Sequence, residues 1–340
     1  MIDRRSLLLA ATGGLAVAAS TRGAEPPADP ATTPSSSSVP PAQGLVPTEL
    51  LMHATVRLEC TGVSLNPSVP APTSIGTGFF FNLFEKDKRA VLVIVTNKHV
   101  VRGMVSGFVE LTTKRPDGNP DLQNHFRAEL PNFSVGWIDH PDPAIDLTVF
   151  PCGPMLESLG TSGHNIYWIS LDPQLIPTDK ELEDLTPVEE VLIVGYPIGR
   201  WDQKNNSPIF RRGITATAPY LDFSGKQEFL IDAAIFPGSS GSPVLLFNQG
   251  AWELRSGGTT IGTRIRLLGI NYAVMIYRST GEMVVEQTPT EMRVVPQVPI
   301  PGNLGICVKA SKILDFEPLL VQMGFNPPEG YIMRVPKLTL

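Results

Sequence analysis

Short apolar runs separated by clusters of Gly, Pro, Asn and Asp set the pattern of the chain from residue 55 onward. One series covers residues 55–60, 78–84, 90–96, 108–112, 146–150 and 191–196. A second covers 214–218, 228–232, 243–247, 264–275 and 305–309. Each run is rich in Val, Ile, Phe and Thr and most are too short for an ordinary helix, so the pattern predicts an all-β protein of antiparallel strands. Near the end the period changes. Ile313, Leu314, Phe316, Leu319, Leu320 and Met323 recur at helical spacing behind Ser311, which predicts a helix over 311–323.

The first 47 residues do not follow this pattern. Arg4 and Arg5 precede an apolar stretch from Leu7 to Ala19 that is too short to span a bilayer comfortably, as in an export signal over residues 1–24. The run Asp3-Arg4-Arg5-Ser6-Leu7 resembles a twin-arginine signal, with Leu7 in place of the usual Phe and Asp3 in place of the usual Ser or Thr; ordinary secretory export and an uncleaved anchor are the alternatives. Residues 25–47 are Pro/Ser-rich without apolar periodicity and are expected to be a disordered linker. The expected location is therefore periplasmic or secreted, with no membrane span once the signal is removed. The remaining 48–340 is long enough for two barrels, one over about 48–187 and one with the final helix over about 188–340.

Composition narrows the function by exclusion. Of 340 residues 42% are apolar, enough for a real core, and the net charge of −6 gives no general attraction to nucleic acid. The five histidines lack metal-ligand spacing and there is no CxxC or HExxH, so neither metal nor cofactor is expected. Cys60, Cys152 and Cys307 are too few and scattered for a disulfide framework and are expected to be buried thiols, with a Cys60 to Cys152 pair left open. Residues 114–131 and 152–190 have the look of insertions, and the acidic run 179–190 is expected to be a solvated helix face.

The candidate chemistry lies at three places. Thr96-Asn97-Lys98-His99-Val100-Val101 puts a histidine at the end of an apolar run, Asp146-Leu147-Thr148-Val149-Phe150 puts an aspartate at the start of another, and Pro237-Gly238-Ser239-Ser240-Gly241 puts a serine in a turn of small residues. His99 and Asp146 are 47 residues apart, and Ser240 follows 94 residues later. A serine hydroxyl is a weak nucleophile at neutral pH and needs a base within hydrogen-bond reach, with a carboxylate to fix that base's tautomer. Asp139 and Asp142 compete with Asp146 but lie in a Pro-rich turn.

The order His, Asp, Ser resembles that of the trypsin-like serine peptidases. Within these the chain is most similar to the bacterial Deg/HtrA type, through Gly76-Thr77-Gly78-Phe79, the His99 and Asp146 segments, Gly195-Tyr196-Pro197-Ile198-Gly199, and Ile231 to Ile235 running into the serine turn. The resemblance covers about residues 48–325. It implies two six-stranded antiparallel β-barrels of the chymotrypsin type with a C-terminal helix, and a polypeptide substrate. His99, Asp146 and Ser240 would form the triad, and the backbone N–H groups of Gly238 and Ser240 the oxyanion hole. Ser239 stands where pancreatic-type enzymes carry an aspartate that pairs with a newly cut N-terminus, which argues against that activation route. No PDZ module is expected in the chain up to Leu340.

The same resemblance makes Ala233, Ala234, Ile235 and Phe236 one wall of the pocket for the side chain preceding the scissile bond, with Asn271, Tyr272 and Ala273 opposite. No acid is among them, so a small or medium apolar side chain is expected. Ser242-Pro243 is similar to the same position in glutamate-specific bacterial peptidases and keeps an acidic preference open. Arg211-Arg212-Gly213 reads as a solvated loop rather than a substrate or anion contact. The expected function is an exported serine endopeptidase acting through an acyl-enzyme. The alternative is a catalytically silent or gated trypsin-fold module that binds polypeptides as a chaperone does, and a third reading is an esterase on the same site.

Overall fold

The computed structural model describes residues 46–64, 66, 68–86, 89–279, 298–326 and 328. The expected export signal and nearly all of the linker lie outside these residues. Thirteen strands form two antiparallel sheets among the described residues. The first contains β1 (Thr55–Gly62), β2 (Thr73–Lys86), β3 (Arg89–Thr96), β4 (Met104–Lys114), β5 (Pro120–Glu129), β6 (Ile138–Asp139) and β7 (Thr148–Pro151), in the order β5-β4-β1-β2-β3-β7-β6. The second contains β8 (Glu190–Gly195), β9 (Ile209–Thr215), β10 (Glu228–Asp232), β11 (Pro243–Glu253), β12 (Thr259–Ser279) and β13 (Val298–Lys309), which close as β10-β13-β12-β11-β8-β9. The two-unit, all-β architecture is the one expected.

Several details differ from the sequence reading. The first sheet has seven strands: the run 191–196, read with the first series, is β8 of the second barrel, while β5, within the segment taken as an insertion, pairs with β4, and the short β6 pairs with β7. The C-terminal helix is split into a 3-10 turn, Ala310–Asp315, and an α-helix, Phe316–Gln322. Pro318 accounts for the break: it has no N–H for the carbonyl of Leu314 and is tolerated only in the first turn of a helix. The acidic run is not a free solvated face. Glu181 pairs with Arg266 at 2.5 Å, Glu190 with Arg212 at 2.5 Å, and the buried Glu189 with Arg264 at 2.6 Å, so the run is tied to the second barrel through β12 and β9.

Burial sorts the core into three groups. Val56, Leu58, Phe80, Ile94 and Val109 fill the first unit, and Ile193, Phe229, Ile231, Val244 and Leu246 fill the second. The largest group joins the units: Phe79, Phe81, Val95 and Leu147 from the first pack with Leu245, Leu267, Ile270, Phe316 and Leu320 from the second. All three cysteines are buried and free. Burial pushes the thiols of Cys60 and Cys152 up to about 12, which marks them as inert packing groups.

His53 follows the helix Pro47–Met52, buried with its ring edge-on to Tyr167 at 4.9 Å. Burial lowers its pKa to about 4. The unfolded state therefore binds the extra proton first, and stability falls as pH drops from about 6.5 toward 4. Between pH 7 and pH 5 this group is expected to cost about 2 kcal/mol. Urea unfolding of the parent and of His53→Leu at both pH values checks this: the variant should lose that part of the pH dependence, and equal slopes would contradict it.

Candidate active site

The local sequence explains why His99 is presented. β3 ends at Thr96, Asn97 turns the chain, and a single helical turn, Lys98–Val101, follows. Lys98, Val100 and Val101 are buried in this turn, while the His99 side chain is 49% exposed. The buried ammonium of Lys98 donates to the carbonyls of His140 and Asp142, both at 3.2 Å, and pins the loop that leads to Asp146. Asn97 donates to the Asp146 carbonyl at 2.7 Å.

Asp146 faces the imidazole. Its Oδ1 accepts from the His99 backbone N–H at 3.1 Å and its Oδ2 lies 2.5 Å from Nδ1. Burial raises the carboxyl pKa, but the hydrogen bonds and charge of His99, with the backbone of His99 and Lys98, outweigh it and hold Asp146 below the usual carboxylate value. An ionised carboxylate only accepts, so the proton belongs on Nδ1 and Nε2 is left as an acceptor. Nε2 lies 2.9 Å from Ser240 Oγ. The competing acids are engaged elsewhere: Asp142 accepts from Ala144 N–H at 2.8 Å, and Asp139 lies 3.8 Å from Arg102.

The serine turn owes its shape to Pro and Gly. Ser239 N–H donates to Phe236 O at 3.0 Å, and Gly238 has φ +86°, the pattern of a type II turn with Pro237 and Gly238 at its centre. A Cβ on Gly238 would lie 2.6 Å from Tyr196 O. Among the described residues, neither Gly238 N–H nor Ser240 N–H has a hydrogen-bond partner. Beneath the turn, Thr77 Oγ1 donates to Gly238 O at 3.0 Å and accepts from Tyr196 N–H at 3.1 Å, while Thr77 N–H donates to Ser240 O at 2.8 Å. Ile198 sits in the left-handed region at φ +54°, unusual for a β-branched residue, and its N–H donates to Pro237 O at 2.5 Å. Thr77 and Ile198 lie in quoted motifs, but only the folded chain shows their contacts.

The expected pocket residues divide. Ala234 and Phe236 are exposed and Ala273 is half-buried, whereas Ala233 and Ile235 alternate inward and are buried in the second barrel. Asn271 is buried beneath the turn, where Nδ2 donates to Ser239 O at 3.2 Å and its carbonyl accepts from Gly241 N–H at 2.9 Å. Tyr272 is half-buried, its O–H donates to Glu228 at 2.9 Å and its carbonyl lies 3.4 Å from Ser240 Oγ. Ser242 is buried against Thr77 Oγ1 at 3.2 Å and presents no side chain to the crevice. Arg211 does not behave as a solvated loop residue: its Nη1 donates to the carbonyl of Ala234.

The family model described as the trypsin-like peptidase domain matches residues 76–252. The chain belongs to the trypsin-like peptidase family. No curated protein matches it in sequence. Among solved structures it is similar to the HtrA-type protease AlgW with a tripeptide, at 16% identity and a TM-score of 0.41, over 80% of this chain and 62% of that one. It is also similar to an inactive mutant form of Rv3671c from M. tuberculosis, at 15% identity and a TM-score of 0.36, over 85% of this chain and 99% of that one. No helix among the described residues is long and apolar enough to cross a membrane.

Proposed function

We propose that this serine peptidase cuts polypeptides through His99, Asp146 and Ser240, with Gly238 and Ser240 N–H as oxyanion donors. The observation that carries the reading is the unbroken line from Asp146 Oδ2 through both His99 ring nitrogens to Ser240 Oγ, at 2.5 and 2.9 Å. Ser240 Oγ attacks the scissile carbonyl carbon as its proton passes to His99 Nε2, and Asp146 stabilises the imidazolium. Negative charge on the former carbonyl oxygen meets the two unengaged N–H groups, which the type II turn holds in place before the reaction begins. His99 then gives the proton to the leaving amine, and water, deprotonated by the same imidazole, releases the acyl group from Ser240.

The surrounding residues take supporting roles in this reading. Lys98 and Asn97 fix the Asp146 loop, and Thr77, Ile198 and Asn271 hold the serine turn. The exposed walls Ala234 and Phe236 carry no acid, so Lys and Arg are the side chains least suited to precede the scissile bond. Arg4, Arg5 and the apolar stretch after them support export by a twin-arginine route to the periplasm or beyond, ahead of a peptidase domain over 48–340.

Casein digestion by the full chain and by Ser240→Ala tests the reading. Digestion by the parent that is lost in the variant is the expected result. Equal digestion by both would assign the activity elsewhere, and polypeptide binding without digestion by either would favour the silent, chaperone-like alternative.

A further inference from the structure

Arg211 lies on β9 opposite Ile193 of β8. Residues 211 and 213 share one face of that strand, because side chains alternate with a period of two. Gly213 shows where this face points: a Cβ there would meet Asp232 O at 2.4 Å and Ala233 Cβ at 2.7 Å, so the strand runs tightly under the segment leading to Ser240. Arg211 extends from the same face and reaches the next exposed residue, donating Nη1–H to Ala234 O. Its neighbour Arg212 points the other way and pairs with Glu190.

The rest of the Arg211 guanidinium is unpaired. Nε and Nη2 are buried and have no hydrogen-bond partner among the described residues. These two nitrogens form one edge of the guanidinium, whose parallel N–H groups match the two oxygens of a carboxylate. Burial lowers the pKa to about 10, which leaves the group charged at neutral pH. A buried cation without a counter-charge is costly, and a carboxylate on the fork would offset that cost. The location limits the source of that carboxylate. Two segments flank Ser240, 234–239 on one side and 271–275 on the other, joined by Gly241 N–H to Asn271 O and Asn271 N–H to Ser242 O. Arg211 is anchored on the first of these, beside exposed Ala234.

We propose that Arg211 is a specificity residue that pairs with a Glu or Asp side chain immediately preceding the scissile bond. The proposal rests on the peptidase reading above and deepens it. The sequence-based expectation of an apolar side chain rested on walls without charge, and Arg211 brings a charge to the wall from a strand remote in sequence. Because the Nε and Nη2 edge is covered, the flexible arginine side chain must turn toward the incoming carboxylate and exchange two unsatisfied donors for two charge-assisted hydrogen bonds. Uncharged Gln at the same place offers one oxygen and no charge, so the fork discriminates against it.

The test uses the full chain and fluorogenic peptides that differ only in the residue before the cut: Glu, Asp, Gln, Ala or Lys. The expected kcat/KM for Glu exceeds that for Gln by about 10- to 100-fold, the range of a charged hydrogen bond. Arg211→Gln should collapse that ratio toward one, Arg211→Lys should keep part of it, and Arg211→Glu should shift preference toward Lys. Fluorophosphonate labelling of the same samples reports separately whether Ser240 is reactive. A labelled parent that cleaves Glu no better than Gln overturns the proposal and leaves the peptidase reading standing, as does an unchanged Glu to Gln ratio in Arg211→Gln. A parent that is neither labelled nor active overturns the peptidase reading and the specificity with it.

Discussion

Asp146→Asn is expected to reduce turnover about 10⁴-fold while leaving the fold intact. The loss comes from the imidazole's tautomer. Asp146 accepts from Nδ1, which leaves Nε2 free to take the Ser240 proton. An Asn amide oriented as donor toward Nδ1 would place the proton on Nε2, and the base would then face the nucleophile with a hydrogen instead of a lone pair. The Asp146 carboxylate also meets the imidazolium that forms during attack, a charge that the amide cannot offset. Steady-state hydrolysis by parent and variant, with circular dichroism of both, checks this. A loss of less than about tenfold would show that another acid, Asp139 or Asp142, orients His99.

Gly241→Ala should have the largest effect on stability. Gly241 has φ +84°, and a Cβ there would lie 1.9 Å from the carbonyl oxygen of Thr77 and 2.6 Å from Thr96 Oγ1. Thr77 O is backbone, fixed by the Thr96 hydroxyl at 2.8 Å and by its own strand, so it has little freedom to retreat. Left-handed backbone alone costs a non-glycine residue about 1–2 kcal/mol. With the clash, the total is expected to exceed about 4 kcal/mol, the range reserved for core disruption or strain at a special backbone position. The substitution would also break the tie between the two sheets at the serine turn, since Thr77 N–H donates to Ser240 O. Thermal unfolding measures the outcome: a melting temperature lower by about 10 °C or more is expected, and a parent-like value would mean that the turn is not closed against β2.

Much of this was legible from residue order, for physical reasons that can be named. β10 is read with its own limits, Glu228 to Asp232, because it is a short apolar run bounded by polar turns. The serine turn is readable because Pro237 and Gly238 meet a backbone demand that few other residues satisfy. β5 escaped because it is a mostly exposed edge strand with Asp, Gln, Asn and His where an apolar pattern would otherwise appear. Glu189 looked like part of a solvated run because its partner, Arg264, is 75 residues away in sequence. Distance in sequence likewise hides Asn271 beneath Ser239 and Arg211 beside Ala234, contacts made only when the second barrel closes. Pocket walls were the hardest to read: one step along an extended segment turns exposed Ala234 into buried Ile235.

The central claim is that Ser240 is the nucleophile, activated by His99. The most direct measurement is to treat the full chain with a fluorophosphonate, digest it and locate the added mass by tandem mass spectrometry. A single adduct on Ser240, absent from His99→Ala treated in the same way, is the result predicted. An adduct on another residue, or labelling of Ser240 that persists unchanged in His99→Ala, would contradict it.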